Sequence, residues 1–307
     1  MSEHGDSNKA VFAALASNMG IAATKFIAFL FTGSSSMLAE SVHSLADTGN
    51  QGLLLLGGRR AKRDRDRAHQ FGYGAERYFY AFVVSLVLFS AGGVFALFEG
   101  LDKVRHPHDV DDPWVAIGVL LVAIVLEALS FRTARNESKS LKGNNSWVEF
   151  VRHTKNPELP VVLLEDSAAL AGLAFALIGV SLAALTGNAR WDGVGTLAIG
   201  VLLVAVAVTL GIETKSLLIG ESASADVEQA IVDALLGGPE VERVIHLRTL
   251  HLGPDEILVA AKIAVAHDNT STMVARGIDA AERRVRAAVR QRTVIYLEPD
   301  LERSSQP

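Results

Sequence analysis

The chain has 307 residues, half of them apolar, with no cysteine, 29 basic and 34 acidic side chains and a formal net charge of −5. This composition argues against a disordered or collagen-like chain, a disulfide framework, a thiolate metal site and a cysteine nucleophile. The small negative charge gives no electrostatic footprint for nucleic acid.

From about residue 11 to residue 212 the sequence consists of long apolar runs separated by short polar gaps. A helix that crosses the hydrocarbon of a bilayer needs roughly 20 mainly apolar residues. Six stretches satisfy this, at about 11–32, 36–57, 78–100, 114–134, 160–186 and 191–212. The first has no cluster of positive charge before it and is of full span length, so it is expected to stay in the mature protein rather than act as a cleaved signal. Small residues, Gly20, Ala22 and Ala23 in the first span and Ala168, Ala171 and Gly172 in the fifth, are expected to let helices pack closely.

Positive charge alternates from loop to loop. Arg59, Arg60, Lys62, Arg63, Arg65, Arg67 and Arg77 follow the second span, and Arg132, Arg135, Lys139, Lys142, Arg152 and Lys155 follow the fourth. The intervening loops carry only Lys103, Arg105 and Arg190. Basic loops remain on the cytoplasmic side, which predicts that both termini are cytoplasmic. Residues 1–212 therefore read as a membrane domain and residues 213–307 as a cytoplasmic one.

The tail has soluble periodicity. Val227, Ile231, Ala234 and Leu235 have helical spacing, and Gly237-Gly238-Pro239 stops that helix. Two strands, 241–250 and 256–265, are joined at Gly253-Pro254-Asp255. A second helix over 272–290 and a third strand over 293–297 complete an αββαβ order, a small ferredoxin-like α/β unit with helices on one sheet face.

Ionisable groups inside the apolar runs mark where chemistry is expected, because they are costly in hydrocarbon unless they face a partner or a water-filled path. The second span holds Glu40, His43 and Asp47. His43 and Asp47 are four apart and share one helical face, which makes them half of a tetrahedral site for a borderline divalent ion. The fourth span adds Glu127 and the fifth Glu165 and Asp166. Neighbours on a helix point about 100° apart, so one of Glu165 and Asp166 is expected at the site and the other against a neighbouring helix. Asn18 reads as a packing hydrogen bond, and His246, His251, His267 and Asp268 in the tail as polar surface.

Taken together, six spans with cytoplasmic ends, His43-Ser44-Leu45-Ala46-Asp47-Thr48 in the second, Leu163-Leu164-Glu165-Asp166-Ser167 in the fifth, Phe71-Gly72-Tyr73-Gly74 in the 2–3 loop and the αββαβ tail resemble the cation diffusion facilitator family of divalent-metal/proton antiporters. The two span motifs are most similar to the branch that holds the mitochondrial or nuclear zinc transporter-like member and its bacterial relatives. The resemblance implies a homodimer in a lipid bilayer, with divalent metal and protons as substrates and no resident cofactor. Zn2+ is the expected cargo, with Mn2+ or Fe2+ as alternatives. It also implies four ligands, two from the second span, matched by His43 and Asp47, and two from the fifth, of which Asp166 matches one. The other usual fifth-span position falls on Val162, which cannot bind metal, so Glu165, Glu127, Asn18 or water is left to supply the fourth contact.

The family's minor loop site corresponds to Asp66 and His69, with Tyr73 where a second histidine is usual. Gly72 and Gly74 are expected to allow tight turns there. No enzyme is expected, since a His-Glu-x-x-His pair and a phosphate-binding Gly-x-x-x-x-Gly-Lys loop are both absent from the sequence. A non-transporting metal sensor or scaffold of the same fold is the alternative to a transporter. The short loops suit a bacterial inner membrane.

Overall fold

The computed structural model describes residues 19–142, 146, 147, 149, 154–266 and 269–300. Residues 11–18 of the expected first span, Asn18 among them, lie outside the described residues, as do Arg152, His267 and Asp268. The chain forms two compact units, Met1–Arg59 with Phe79–Lys215 and Arg60–Tyr78 with Ser216–Pro307.

The first unit is helical: α1 (Met19–Thr32), α2 (Ser35–Arg60), α3 (Glu76–Arg105), α4 (Pro113–Lys142), α5 (Glu158–Thr186) and α6 (Arg190–Ile219). Four of these, α3 to α6, contain segments long and apolar enough to cross a membrane. The described part of α1 is too short, and α2 is interrupted by Glu40, His43, Asp47, Asn50 and Gln51. The core is built from Leu88, Leu120, Leu173, Ile199 and Leu203, while Phe98, Trp114, Val122, Leu185 and Val201 stand exposed. So much exposed apolar surface is suited to lipid rather than water.

The ends of α1 and α2 are held by charges from other helices. Gly33 takes a left-handed conformation, φ 60°, to close α1 with its N–H on Phe29 O at 2.7 Å. Lys103 donates to Gly33 O at 3.3 Å, a cation at the negative end of α1. The fully buried Asp192 of α6 accepts the backbone N–H groups of Ser35 at 2.8 Å and Ser36 at 3.3 Å and the Ser34 hydroxyl at 2.9 Å. The two N–H groups are orphan donors of the α2 N-terminus, so an acid on another helix caps the helix that carries the candidate site.

Midway along α3 the residues Leu88–Val94 form a π-helical turn. A Cβ added at Gly92 in this turn would lie 3.9 Å from His43 Nδ1. Such turns widen a helix locally and tend to occur at functional positions. Close packing meets some glycines and not others: at Gly20, as at Gly49, Gly52 and Gly118, an added Cβ meets nothing within 4 Å among the described residues. At Gly20 the expected close packing is therefore not seen among the described residues. At Gly172 it holds, since a Cβ would come within 2.7 Å of Glu40 Oε1.

The second unit has α7 (Ala225–Leu236), β1 (Arg243–Gly253), β2 (Glu256–Ala264), α8 (Ser271–Ala288) and β3 (Arg292–Asp300), the expected αββαβ order. The sheet order is β1-β2-β3, with β1 antiparallel and β3 parallel to the central β2. Strand alternation buries Ile257, Val259, Ala261 and Ile263 against Ile231 and Leu235 of α7 and Ala281 and Val285 of α8. Thr270 caps α8 by accepting Met273 N–H at 3.3 Å. Arg284 joins the two helices by donating to Ala234 O at 2.8 Å and Leu235 O at 3.2 Å, and it also pairs with Glu240.

Residues 60–78, the 2–3 loop with the helix ends that flank it, belong to this second unit. Arg65 pairs with Glu256, and Arg77 donates to Asp255 at 2.9 Å, both on the β1–β2 hairpin. The two loop glycines have different roles. Gly72 has a positive φ of 86°, as a turn requires, whereas Gly74 is needed for proximity, since an added Cβ would lie 2.6 Å from Leu252 O.

Candidate metal site

The site residues come from three helices. Asp47 on α2, Glu127 on α4 and Glu165 and Asp166 on α5 line one small cavity of about 20 Å³, with Ile21, Ser44, Gln51, Ser130 and Val162. That is room for about one water or ion. Glu165 and Asp166 both border it, held by different neighbours. Asn50 of α2 donates to Glu165 Oε1 at 2.6 Å, and Ser130 of α4 donates to Asp166 Oδ2 at 3.3 Å. The 100° between adjacent side chains is thus spread over two walls of the same cavity.

His43 is not among the lining residues. It is buried, with no hydrogen-bond partner on either ring nitrogen among the described residues, and its Nδ1 lies 3.6 Å from Asp47 Oδ1. Among the described residues no three His, Asp or Glu side chains are grouped so as to hold a metal ion as they stand. The donors that border the cavity are oxygens: four carboxyl groups, the amide of Gln51 and the hydroxyls of Ser44 and Ser130. Val162 occupies the wall one turn before Asp166, where the resemblance implies a ligand.

Sequence reasoning passed over Lys25, Asn50, Gln51 and Ser130. Lys25 lies within an apolar run, and uncharged polar side chains in a membrane helix read as ordinary helix–helix hydrogen bonds. A usable signal was there: Asn50 and Gln51 are three and four residues after Asp47, on the continuing face of α2.

The loop counterpart is a closed arrangement. Asp66 Oδ1 accepts the N–H groups of Ala68 at 2.9 Å and His69 at 2.7 Å, and its Oδ2 accepts the Tyr73 hydroxyl at 2.5 Å. Arg63 lies over the Tyr73 ring at 4.6 Å. The Tyr73 hydrogen bond, with the N–H of His69, holds the Asp66 carboxyl down at about 2, and the same bond to Asp66 pushes the Tyr73 phenol up. Asp66's depressed value makes its contribution complete above the unfolded value of about 3.9, and it is lost as pH falls through about 2. Tyr73's contribution is present below about 10 and is lost as pH rises through its raised value. The loop is therefore held across the neutral range by a phenol–carboxylate bond that needs no metal. Tyr73→Phe is expected to speed tryptic cleavage at the loop arginines several-fold, while a chelator leaves the wild-type rate unchanged. Chelator-sensitive cleavage of the wild type would show that metal holds the loop.

In the tail, His246 is exposed, and His251 is buried with Nδ1 3.4 Å from Gly253 O.

The model of the cation efflux transmembrane domain matches residues 11–219. The chain is 33% identical over 242 residues to the mitochondrial proton-coupled zinc antiporter SLC30A9 of Xenopus laevis, which covers 78% of this chain and 43% of that protein. The human SLC30A9 protein is 31% identical over the same length and is covered to 42%. The cation-efflux pump FieF of Serratia proteamaculans is 29% identical over 234 residues, 76% of this chain and 73% of the pump. The chain thus matches less than half the length of the mitochondrial relatives.

Proposed function

The chain belongs to the cation diffusion facilitator family of cation efflux transporters, and on that premise we propose that it carries a divalent metal ion out of the cytoplasm in exchange for protons. It is an integral membrane protein. The reading takes α1 to α6 as six spans, residues 1–212 as the transport domain and residues 213–307 as a cytoplasmic domain, with both termini in the cytoplasm of a bacterial cell and two copies forming a homodimer. What supports it most is one observation: Asp47, Glu127, Glu165 and Asp166 border one ion-sized cavity among helices of which α4 and α5 are apolar enough to span a membrane.

Carboxyl groups ligate as anions and imidazole as a neutral base, so metal binding releases the protons they carry. Protons arriving from the other side compete for the same oxygens and release the ion. His43, one turn from Asp47, is the nitrogen donor within reach of that exchange. Zn2+ is the first cargo we assign. The oxygen-rich lining favours a second reading, Mn2+ or Fe2+, because harder ions accept carboxylate and amide oxygen more readily than Zn2+ does.

The test is uptake of zinc, manganese and iron into proteoliposomes with and without an imposed pH gradient. Gradient-dependent flux is expected, and its size ranks the metals. Binding without flux of any of the three would make the chain a sensor or scaffold instead, the reading that Val162 on the cavity wall favours.

A further inference from the structure

Gln51 has no part in the exchange described above, yet it borders the same cavity. It is partly buried on α2, one helical turn after Asp47. Val162 borders the cavity from α5, one turn before Asp166, and packs against the apolar core of the unit. As the second and fifth of six spans, α2 and α5 run in opposite directions. A turn forward along α2 and a turn back along α5 therefore lead to the same end of the cavity, the end nearer the basic loops. Gln51 stands at the level where Val162 offers no donor.

The other neutral polar groups on the lining are already engaged. The Ser130 hydroxyl donates to Asp166 at 3.3 Å. The Ser44 oxygen accepts from Lys25 Nζ at 2.8 Å, and that ammonium is in turn paired with Glu40 at 3.1 Å. A cation held at Ser44 would meet a second cation there. The remaining neutral donor on the lining is the amide oxygen of Gln51.

We propose that the Gln51 amide oxygen is the ligand that takes the place Val162 leaves, completing with Asp47, Glu127 and Asp166 an all-oxygen position that favours harder divalent ions such as Mn2+. The proposal deepens the transport reading and rests on it for the role of the cavity. An amide oxygen binds metal without releasing a proton, so Gln51 adds affinity without adding to the protons exchanged. It is a hard donor, of the kind that suits Mn2+ and Mg2+. His43 keeps its part in the exchange. It lies eight residues from Gln51, about 12 Å along the helix, with Asp47 midway between them. An ion at Gln51 thus reaches the imidazole by moving past Asp47, which is common to both positions.

Isothermal titration of the purified full chain in detergent with Mn2+ and with Cd2+, a softer ion of zinc's group, reads this preference. Gln51→Met keeps the length of the side chain and exchanges the amide for a thioether, a soft donor. It is expected to weaken Mn2+ binding by at least about 10-fold, the scale of loss at a disturbed metal site, while Cd2+ binding is kept or strengthened. Gln51→Leu, of similar bulk and with no donor, should weaken both ions. A glutamine that only joined helices by a hydrogen bond would make the two variants alike. Such likeness towards Cd2+, or wild-type Mn2+ affinity in either variant, overturns the proposal. Gln51→Glu serves where the apolar replacements do not fold: it keeps an oxygen donor of the same reach and is expected to retain Mn2+ binding, and loss of Mn2+ binding in it also overturns the proposal. Proteoliposome flux tests the transport reading separately. The expected affinities without flux would make Gln51 a ligand in a sensor, whereas flux with wild-type affinities in Gln51→Met would leave a transporter whose ion does not touch Gln51. A wild-type chain that binds neither ion overturns both.

Discussion

Asp47→Asn is expected to lower gradient-driven metal flux by at least about 100-fold, the scale on which even supporting residues of a metal site act. Asn keeps the volume and the hydrogen-bonding capacity of the side chain and removes its charge, so the loss reports on ligation rather than packing. Asp47 stands where the two parts of the site meet. Its carboxylate borders the cavity with Glu127, Glu165 and Asp166, and its Oδ1 is 3.6 Å from His43. Asp166→Asn is expected to follow it closely. Glu165→Gln should have the smaller effect, because Glu165 is already engaged by Asn50. Stopped-flow uptake with a metal-sensitive dye inside proteoliposomes measures all three. Wild-type flux in Asp47→Asn would place the ion path elsewhere.

How far these features were legible depends on what carried each one. The αββαβ tail and α3 to α6 follow from periodicity and run length, and their boundaries were predicted to within a few residues except where α3, α4, α6 and β3 extend further. α2 was read as a span although its polar residues leave it short of the apolarity that marks the others, since those same residues are the candidate site. The acids of the cavity were found because charge in an apolar run stands out. Their arrangement was not, because which side chains share a wall depends on helix packing. Glu165 and Asp166 illustrate this: the 100° rule was sound, but a cavity between α2 and α4 receives both. Lys25 and Glu40 are 15 residues apart on different helices, and their pairing has no local signature. The π-helical turn is similarly silent apart from Gly92-Gly93, since a shift in hydrogen-bond register leaves little trace in composition.

The seam between α3 and α6 should respond sharply to substitution. It is built reciprocally: a Cβ at Gly93 would lie 2.7 Å from Val204 Cγ2 and one at Gly100 2.7 Å from Leu197 N, while one at Gly193 would lie 2.9 Å from Val104 Cγ2 and one at Gly200 2.7 Å from Leu97 N. Each helix thus offers two glycines seven residues apart to branched residues of the other. Backbone atoms are among the obstructing groups, so no rotamer change relieves an added methyl and the helices must separate. In a membrane, where apolar burial does not drive helices together, that lost contact is a large share of what holds them. Gly100→Ala and Gly200→Ala are each expected to destabilise by about 1–3 kcal/mol, the usual penalty for overpacking. Their combination should be non-additive, because the first separation makes room for the second methyl. Gly118→Ala on α4 is the control, since a Cβ there meets nothing within 4 Å. Helix propensity alone should make that variant more stable by up to about 1 kcal/mol. Thermal unfolding in one detergent separates the two cases by the sign of the Tm shift. A Gly200→Ala protein as stable as Gly118→Ala would mean that α3 and α6 are not in tight contact in the folded protein.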